Sequence, residues 1–113
     1  MRGFLPPQFL SFAIIYSMGR EKVIKLINQN KIDLRTGGVD HLYLFGSYAR
    51  DEATQSSDID ILIELNKPIG LFQLMNLQDK LQTLLGKQVD LGTIDGVKDR
   101  FKSQVNMDVI HVF

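Results

Sequence analysis

From Arg20 to about Asn30 the apolar residues Val23, Ile24, Leu26 and Ile27 recur at helical spacing among Arg20, Glu21, Lys22 and Lys25, which predicts an amphipathic surface helix. Thr36-Gly37-Gly38 breaks that rhythm. Val39 to Phe45, rich in β-branched and aromatic side chains, then reads as a strand that Gly46 ends. Ser47 is placed as a helix N-cap, so that Tyr48 to about Asp51 opens a short helix whose first N–H groups face the strand end. After the loop Gln55-Ser56-Ser57, residues Asp58 to Leu65 alternate: Asp58, Asp60, Leu62 and Glu64 take one face, and Ile59, Ile61, Ile63 and Leu65 the other. Asn66 to Gly70 is a turn. Leu71 to Leu85 sets Leu71, Leu74, Met75, Leu77, Leu81, Leu84 and Leu85 on one broad stripe of a core helix ended by Gly86. Gln88 to Gly92 reads as a third strand, with Val89 and Leu91 facing one way and Asp90 the other. Asp99 to about Met107 reads as helix and Val109 to Phe113 as a terminal strand.

These elements predict an α/β fold in which a small mixed sheet packs against helices on one face and leaves its acidic face open. At 113 residues the chain suits a single domain, which a core of this size can support. Its formal net charge of zero gives no electrostatic footprint for bulk nucleic acid. The absence of cysteine removes disulfides and Cys-type zinc sites. The apolar stretch Phe9 to Tyr16 falls far short of the roughly 20 residues that span a bilayer. Pro6-Pro7, with no small-x-small cleavage site after it, does not suit a secretory signal either, so the cytoplasm is the default location. Met18-Gly19-Arg20 looks like the natural opening of the first helix. Residues 1–17 are therefore read as an N-terminal extension, either a disordered arm or an addition from a mis-assigned start, ahead of a domain over residues 18–113.

The chemistry lies in Gly46-Ser47, followed after ten residues by Asp58-Ile59-Asp60. Two carboxylates at i and i+2 of a strand have Cα atoms about 7 Å apart, a span from which both can hold metal ions roughly 3.5–4 Å apart. Glu64 stands too far along the strand to be a third ligand. Asp90 is better placed if its strand lies beside that of Asp60, where it completes a cluster of Asp58, Asp60 and Asp90. Hard oxygen ligands suit Mg²⁺ or Mn²⁺, whose shells are usually completed by water and substrate phosphates. Gly46 lets backbone approach such phosphates, and main-chain N–H groups with the Ser47 hydroxyl can donate to them. Arg50 can clamp a phosphate or pair with Asp51 or Glu52. Tyr48, His41 and His111 read as packing residues. A Gly-Ser turn or an Asp-x-Asp strand alone says little, but the joint pattern arises by accident in roughly one chain of this length per thousand. Without metal the three carboxylates repel one another, so raised pKa values and stabilisation by Mg²⁺ are expected.

Leu44-Phe45-Gly46-Ser47-Tyr48-Ala49-Arg50, Ser57-Asp58-Ile59-Asp60-Ile61-Leu62 and Val89-Asp90-Leu91 together resemble the signature of the DNA polymerase β-type nucleotidyltransferase superfamily. The short length is similar to that of its minimal nucleotidyltransferases, the MNT proteins, and the resemblance covers nearly all of residues 18–113. It implies the polymerase β-like fold, ATP as substrate, a triphosphate held by Gly46 and Ser47, and two Mg²⁺ ions held by Asp58 and Asp60. It also implies that Asp90 positions and deprotonates the attacking hydroxyl. The family pattern has Gly after the Arg. Asp51 stands there instead, which a left-handed backbone can accommodate, although its charge near a triphosphate disfavours nucleotide binding. Proteins of this kind resemble antitoxins paired with HEPN-type ribonuclease toxins, some of which transfer AMP to a tyrosine of that partner. A hetero-oligomer that completes the site is therefore expected. The alternatives are a non-catalytic antitoxin acting by contact alone and a transferase acting on a small hydroxylated molecule.

Overall fold

In a computed structural model, which describes residues 19–94 and 108–113, hydrophobic periodicity becomes four helices and four strands among the described residues. In chain order these are α1 (Arg20–Gln29), α2 (Lys31–Thr36), β1 (Val39–Phe45), α3 (Gly46–Ala49), β2 (Ile59–Leu65), α4 (Leu71–Leu85), β3 (Val89–Thr93) and β4 (Val109–His111). The sheet order is β3-β2-β1-β4, with β1 antiparallel to both neighbours and β2 parallel to β3. A parallel pair needs a crossover connection, and α4 supplies it. The fold is thus the mixed α/β arrangement that the alternating strands and the long apolar helix predict.

One sheet face and the helices form the core. Leu42, Leu44, Ile59, Ile61, Ile63 and Val89 from the strands meet Val23, Ile27, Leu34, Leu77, Leu81 and Leu85 from the helices, all buried. The other face carries Tyr43, Phe45, Asp60, Leu62, Glu64 and Asp90, because side chains alternate along each strand and cross-strand partners share a face. α1 stops where the Asn30 side chain turns back to donate to the Leu26 carbonyl at 2.9 Å. Hydrophobic periodicity gives no signal for α2. It is a short helix anchored by one buried apolar residue, Leu34, too little for a helical period to show. Gly38, at φ 106°, then reverses the chain into β1 and its carbonyl accepts the Asn66 N–H at 3.0 Å.

The stripe expected on α4 is narrower than the leucine spacing implies. Leu77, Leu81 and Leu85 are buried, Leu74 and Leu84 partly so, but Leu71 is 70% and Met75 50% exposed, and Phe72 beside them is 83% exposed. The contacting seam follows i, i+4 spacing from Leu77 onward, and the first turn of the helix projects past it into solvent. β4 ends at His111, earlier than expected. Its pairing is extended by Val112, which donates to the Leu42 carbonyl, and by Phe113, whose carbonyl accepts the Leu42 N–H. The expected helix over residues 99–107 and the extension over residues 1–17 lie outside the described residues. No helix among the described residues is long and apolar enough to cross a membrane.

Truncating Leu81 to Ala should destabilise the fold by about 2–5 kcal/mol, as expected for a fully buried leucine. Phe72→Ala, on the exposed first turn, should change stability by no more than about 0.5 kcal/mol. Urea unfolding of both variants checks the pair.

Candidate active site

The turn after β1 is built differently from an N-capped helix. Gly46, at φ 67°, swings the chain out of the strand so sharply that the helical ladder starts there, with the Arg50 N–H on the Gly46 carbonyl at 3.0 Å. α3 therefore begins at Gly46 with Phe45 in the cap position and no side-chain cap bond, so Ser47 is not the N-cap. Ser47 instead lies inside the first turn, half-buried. At its other end the helix closes with two bonds: the Asp51 N–H reaches the Tyr48 carbonyl at 3.2 Å and the Glu52 N–H reaches the Ser47 carbonyl at 2.8 Å. This is the Schellman pattern, and its left-handed position falls on Asp51, at φ 59°. Glycine is the residue that pattern favours, so Asp51 holds a position that suits a side chain poorly. The Ala49 carbonyl is taken by Arg20, whose Nη1 donates at 3.0 Å from the start of α1.

Gly46 is required on two grounds. Its left-handed backbone disfavours any side chain, and a Cβ would run into the Asp60 carboxylate. Phe45 pairs across the ladder with Asp60, so the carboxylate lies directly beside the turn. The room left by the missing side chain at Gly46 is filled by Asp60.

Asp60 in turn stands opposite Asp90 in the parallel ladder, and the two side chains share a face. Asp58 lies just before β2 and, like Asp90, is exposed, whereas Asp60 is half-buried. Burial pushes the Asp60 carboxyl above the ordinary carboxylate value. The negative charges of Asp90 and then Asp58 push the same way, against a smaller opposing effect of Arg50. Arg50 itself pairs with Glu52, Nε to Oε1 at 2.8 Å. As the side chains stand, no three His, Cys, Asp or Glu residues among the described residues are gathered closely enough to hold a metal ion. Glu64 lies farther along β2, opposite His41.

Several contributors carry no motif. Lys87 donates to the Thr54 and Gln55 carbonyls at 3.3 and 3.1 Å, and its ammonium sits 5.4 Å from the centre of the buried Tyr48 ring. It thereby pins the loop between α3 and Asp58. Beside it, a cleft of about 350 Å³ is lined by Gln55, Ser56, Ser57, Asp58, Gly86, Lys87 and Gln88. Gln78 and Gln82 bind the backbone of Val89, next to Asp90, at 2.9 and 3.1 Å. None of these was visible to periodicity, since each joins a side chain to backbone on another element. Tyr48 is a packing residue, as expected for an aromatic at the start of a helix. His41 and His111 are paired more than packed, Nδ1 to Nε2 at 3.0 Å, with Tyr43 stacked on His111 at 4.9 Å.

The profile described as a nucleotidyltransferase domain matches residues 20–111. A protein of Methanocaldococcus jannaschii, provisionally named a protein adenylyltransferase, is 36% identical over 93 residues, covering 80% of this chain and 95% of that protein. The protein adenylyltransferase MntA of Thermococcus cleftensis is 33% identical over 93 residues, covering 81% of this chain and 94% of its own. Among solved structures, a toxin–antitoxin complex with AMP-PNP superposes with a TM-score of 0.62 at 26% identity, over 83% of this chain and 72% of the other. The tri-AMPylated Shewanella oneidensis HEPN toxin in complex with MNT antitoxin gives 0.55 at 26% identity, over 83% and 68%.

Two substitutions test the geometry. Asp51→Gly should stabilise the protein by roughly 1 kcal/mol by relieving the left-handed position, while Asp51→Ala should not, as read by chemical denaturation. For Asp60, the unfolded chain gives up its proton at a lower pH than the fold does. Its ionised form therefore opposes folding, fully so above the raised value and not at all below the ordinary 3.8. In metal-free buffer Asp60→Asn should exceed the parent in stability at neutral pH and lose that advantage as the pH falls toward about 4.

Proposed function

This chain belongs to the nucleotidyltransferase domain family, and on that footing we propose that it is a Mg²⁺-dependent protein adenylyltransferase of the cytoplasm. It transfers AMP from ATP to a hydroxyl group of a partner protein, and it acts as the antitoxin of a HEPN toxin pair. The observation that carries this reading is the register Phe45, Asp60, Asp90 across three strands, with the Gly46-Ser47 turn at its end. The partner and the acceptor are supported by the names of the relatives and of the superposed complexes.

The donor set fits a hard divalent cation. It consists of carboxylate oxygens alone, and the mutual repulsion that raises Asp60 is what a cation would relieve. Asp58 and Asp60, with Asp90, would hold two Mg²⁺ ions, which supply charge neutralisation to the carboxylates and the triphosphate. The exposed side chains of Asp58 and Asp90 have freedom to turn inward. Backbone N–H groups of the Gly46-Ser47 turn and the Ser47 hydroxyl bind triphosphate oxygens, with Arg50 released from Glu52 to join them. Asp90 accepts the proton of the incoming hydroxyl, which then attacks the α-phosphorus in line as pyrophosphate departs.

Incubation with α-labelled ATP, Mg²⁺ and host lysate should label a protein band. Asp58→Asn should lower that labelling by about a hundredfold or more. A labelled small molecule, or nucleotide binding with no transfer, would overturn the reading.

A further inference from the structure

β3 is an edge of the described sheet, and in a parallel ladder alternate residues turn their backbone groups away from the neighbouring strand. Val89 is such a residue. Just before it, the Gln88 carbonyl faces β2 and accepts the Ile59 N–H at 3.0 Å. The N–H and C=O of Val89 point outward, and α4 satisfies both. Gln82 Oε1 accepts the N–H at 3.1 Å, and Gln78 Nε2 donates to the C=O at 2.9 Å. The two glutamines are four residues apart, one helical turn, so they present their amides side by side. The Val89 carbonyl belongs to the peptide plane that continues into Asp90, so Gln78 fixes the plane from which the Asp90 side chain projects.

We propose that Gln78 and Gln82 are positioning residues for Asp90, clamping the edge strand so that its carboxylate stays level with Asp60. The inference rests on the assignment of acceptor activation to Asp90. The clamp has a polarity: position 78 must donate and position 82 must accept. Glutamine does both, whereas glutamate only accepts. Gln82→Glu therefore keeps its bond, and Gln78→Glu sets an acceptor against a carbonyl. Packing or helix propensity alone would treat the two glutamates alike, because both positions lie on the same helix and are partly buried.

The test measures AMP transfer by the full chain together with amide exchange by NMR. Gln78→Glu and Gln82→Leu should each lower kcat about tenfold or more, with KM for ATP unchanged, because Gly46, Ser47 and Arg50, which bind the triphosphate in the proposed function, lie on or just after α3 and not on β3. Gln82→Glu should retain kcat. Val89 amide protection should fall in Gln82→Leu and persist in Gln82→Glu, a readout available even where transfer is too weak to measure. If Asp90→Asn is inactive while Gln78→Glu keeps the parental kcat, the clamp is overturned and the function stands. If Asp90→Asn is fully active, the assignment beneath the clamp falls as well. Equal loss in the two glutamate variants would reduce the pair to a structural role and overturn the proposal.

Discussion

Two hydrogen-bonded ladders share β2, and their registers set Phe45, Asp60 and Asp90 level across the sheet. Everything proposed for the site depends on that alignment. A slip of one residue in either ladder would turn an acid from the site face into the core. The register is specified by burial: Ile59, Ile61 and Ile63 are held among Leu42, Leu44, Val89 and the leucines of α4, leaving Asp60 only the opposite face. The hydrophobic core therefore places the charged group as much as it stabilises the fold.

Asp60 shows the cost of that placement. Its carboxylate is half-buried, pressed against the bare Cα of Gly46, and faces two further acids. A site that gathers like charge works against folding until a cation or a proton relieves it. The surrounding contacts offset this with rigidity. Arg20 closes α3, Lys87 holds the loop ahead of Asp58, and the α4 glutamines hold the strand of Asp90. Backbone strain falls on Asp51, the non-glycine residue at positive φ among the described residues, while Gly46 takes its left-handed turn without steric cost.

The strands and the long helix were legible in the chain because their periods are strong. β1 and α4 begin and end where the apolar runs do. The pairing of Asp60 with Asp90 was conditional on one strand neighbouring another, and a single long helix between them made the parallel crossover the natural solution. Helix α2 leaves no periodic signal because one buried leucine makes no pattern. Leu71 and Met75 were misassigned because helical spacing does not say where the packing seam begins. Ser47 was misplaced as a cap because Gly46 starts the helix one residue before it. The clamps by Arg20, Gln78, Gln82 and Lys87 were invisible, since side-chain bonds to distant backbone leave no local trace.

The parallel pairing of β2 with β3 bears on the order of assembly. Closing a longer loop costs more entropy, about 0.6 kcal/mol for each doubling of its length, and the chain between β2 and β3 is longer than that between β1 and β2. Connectivity thus favours the antiparallel pair first, with Asp60 beside its glycine and β3 still to dock. A nascent or partly unfolded chain would then carry the turn with Asp58 and Asp60 but not yet Asp90, so the proposed site is complete only once β3 has docked.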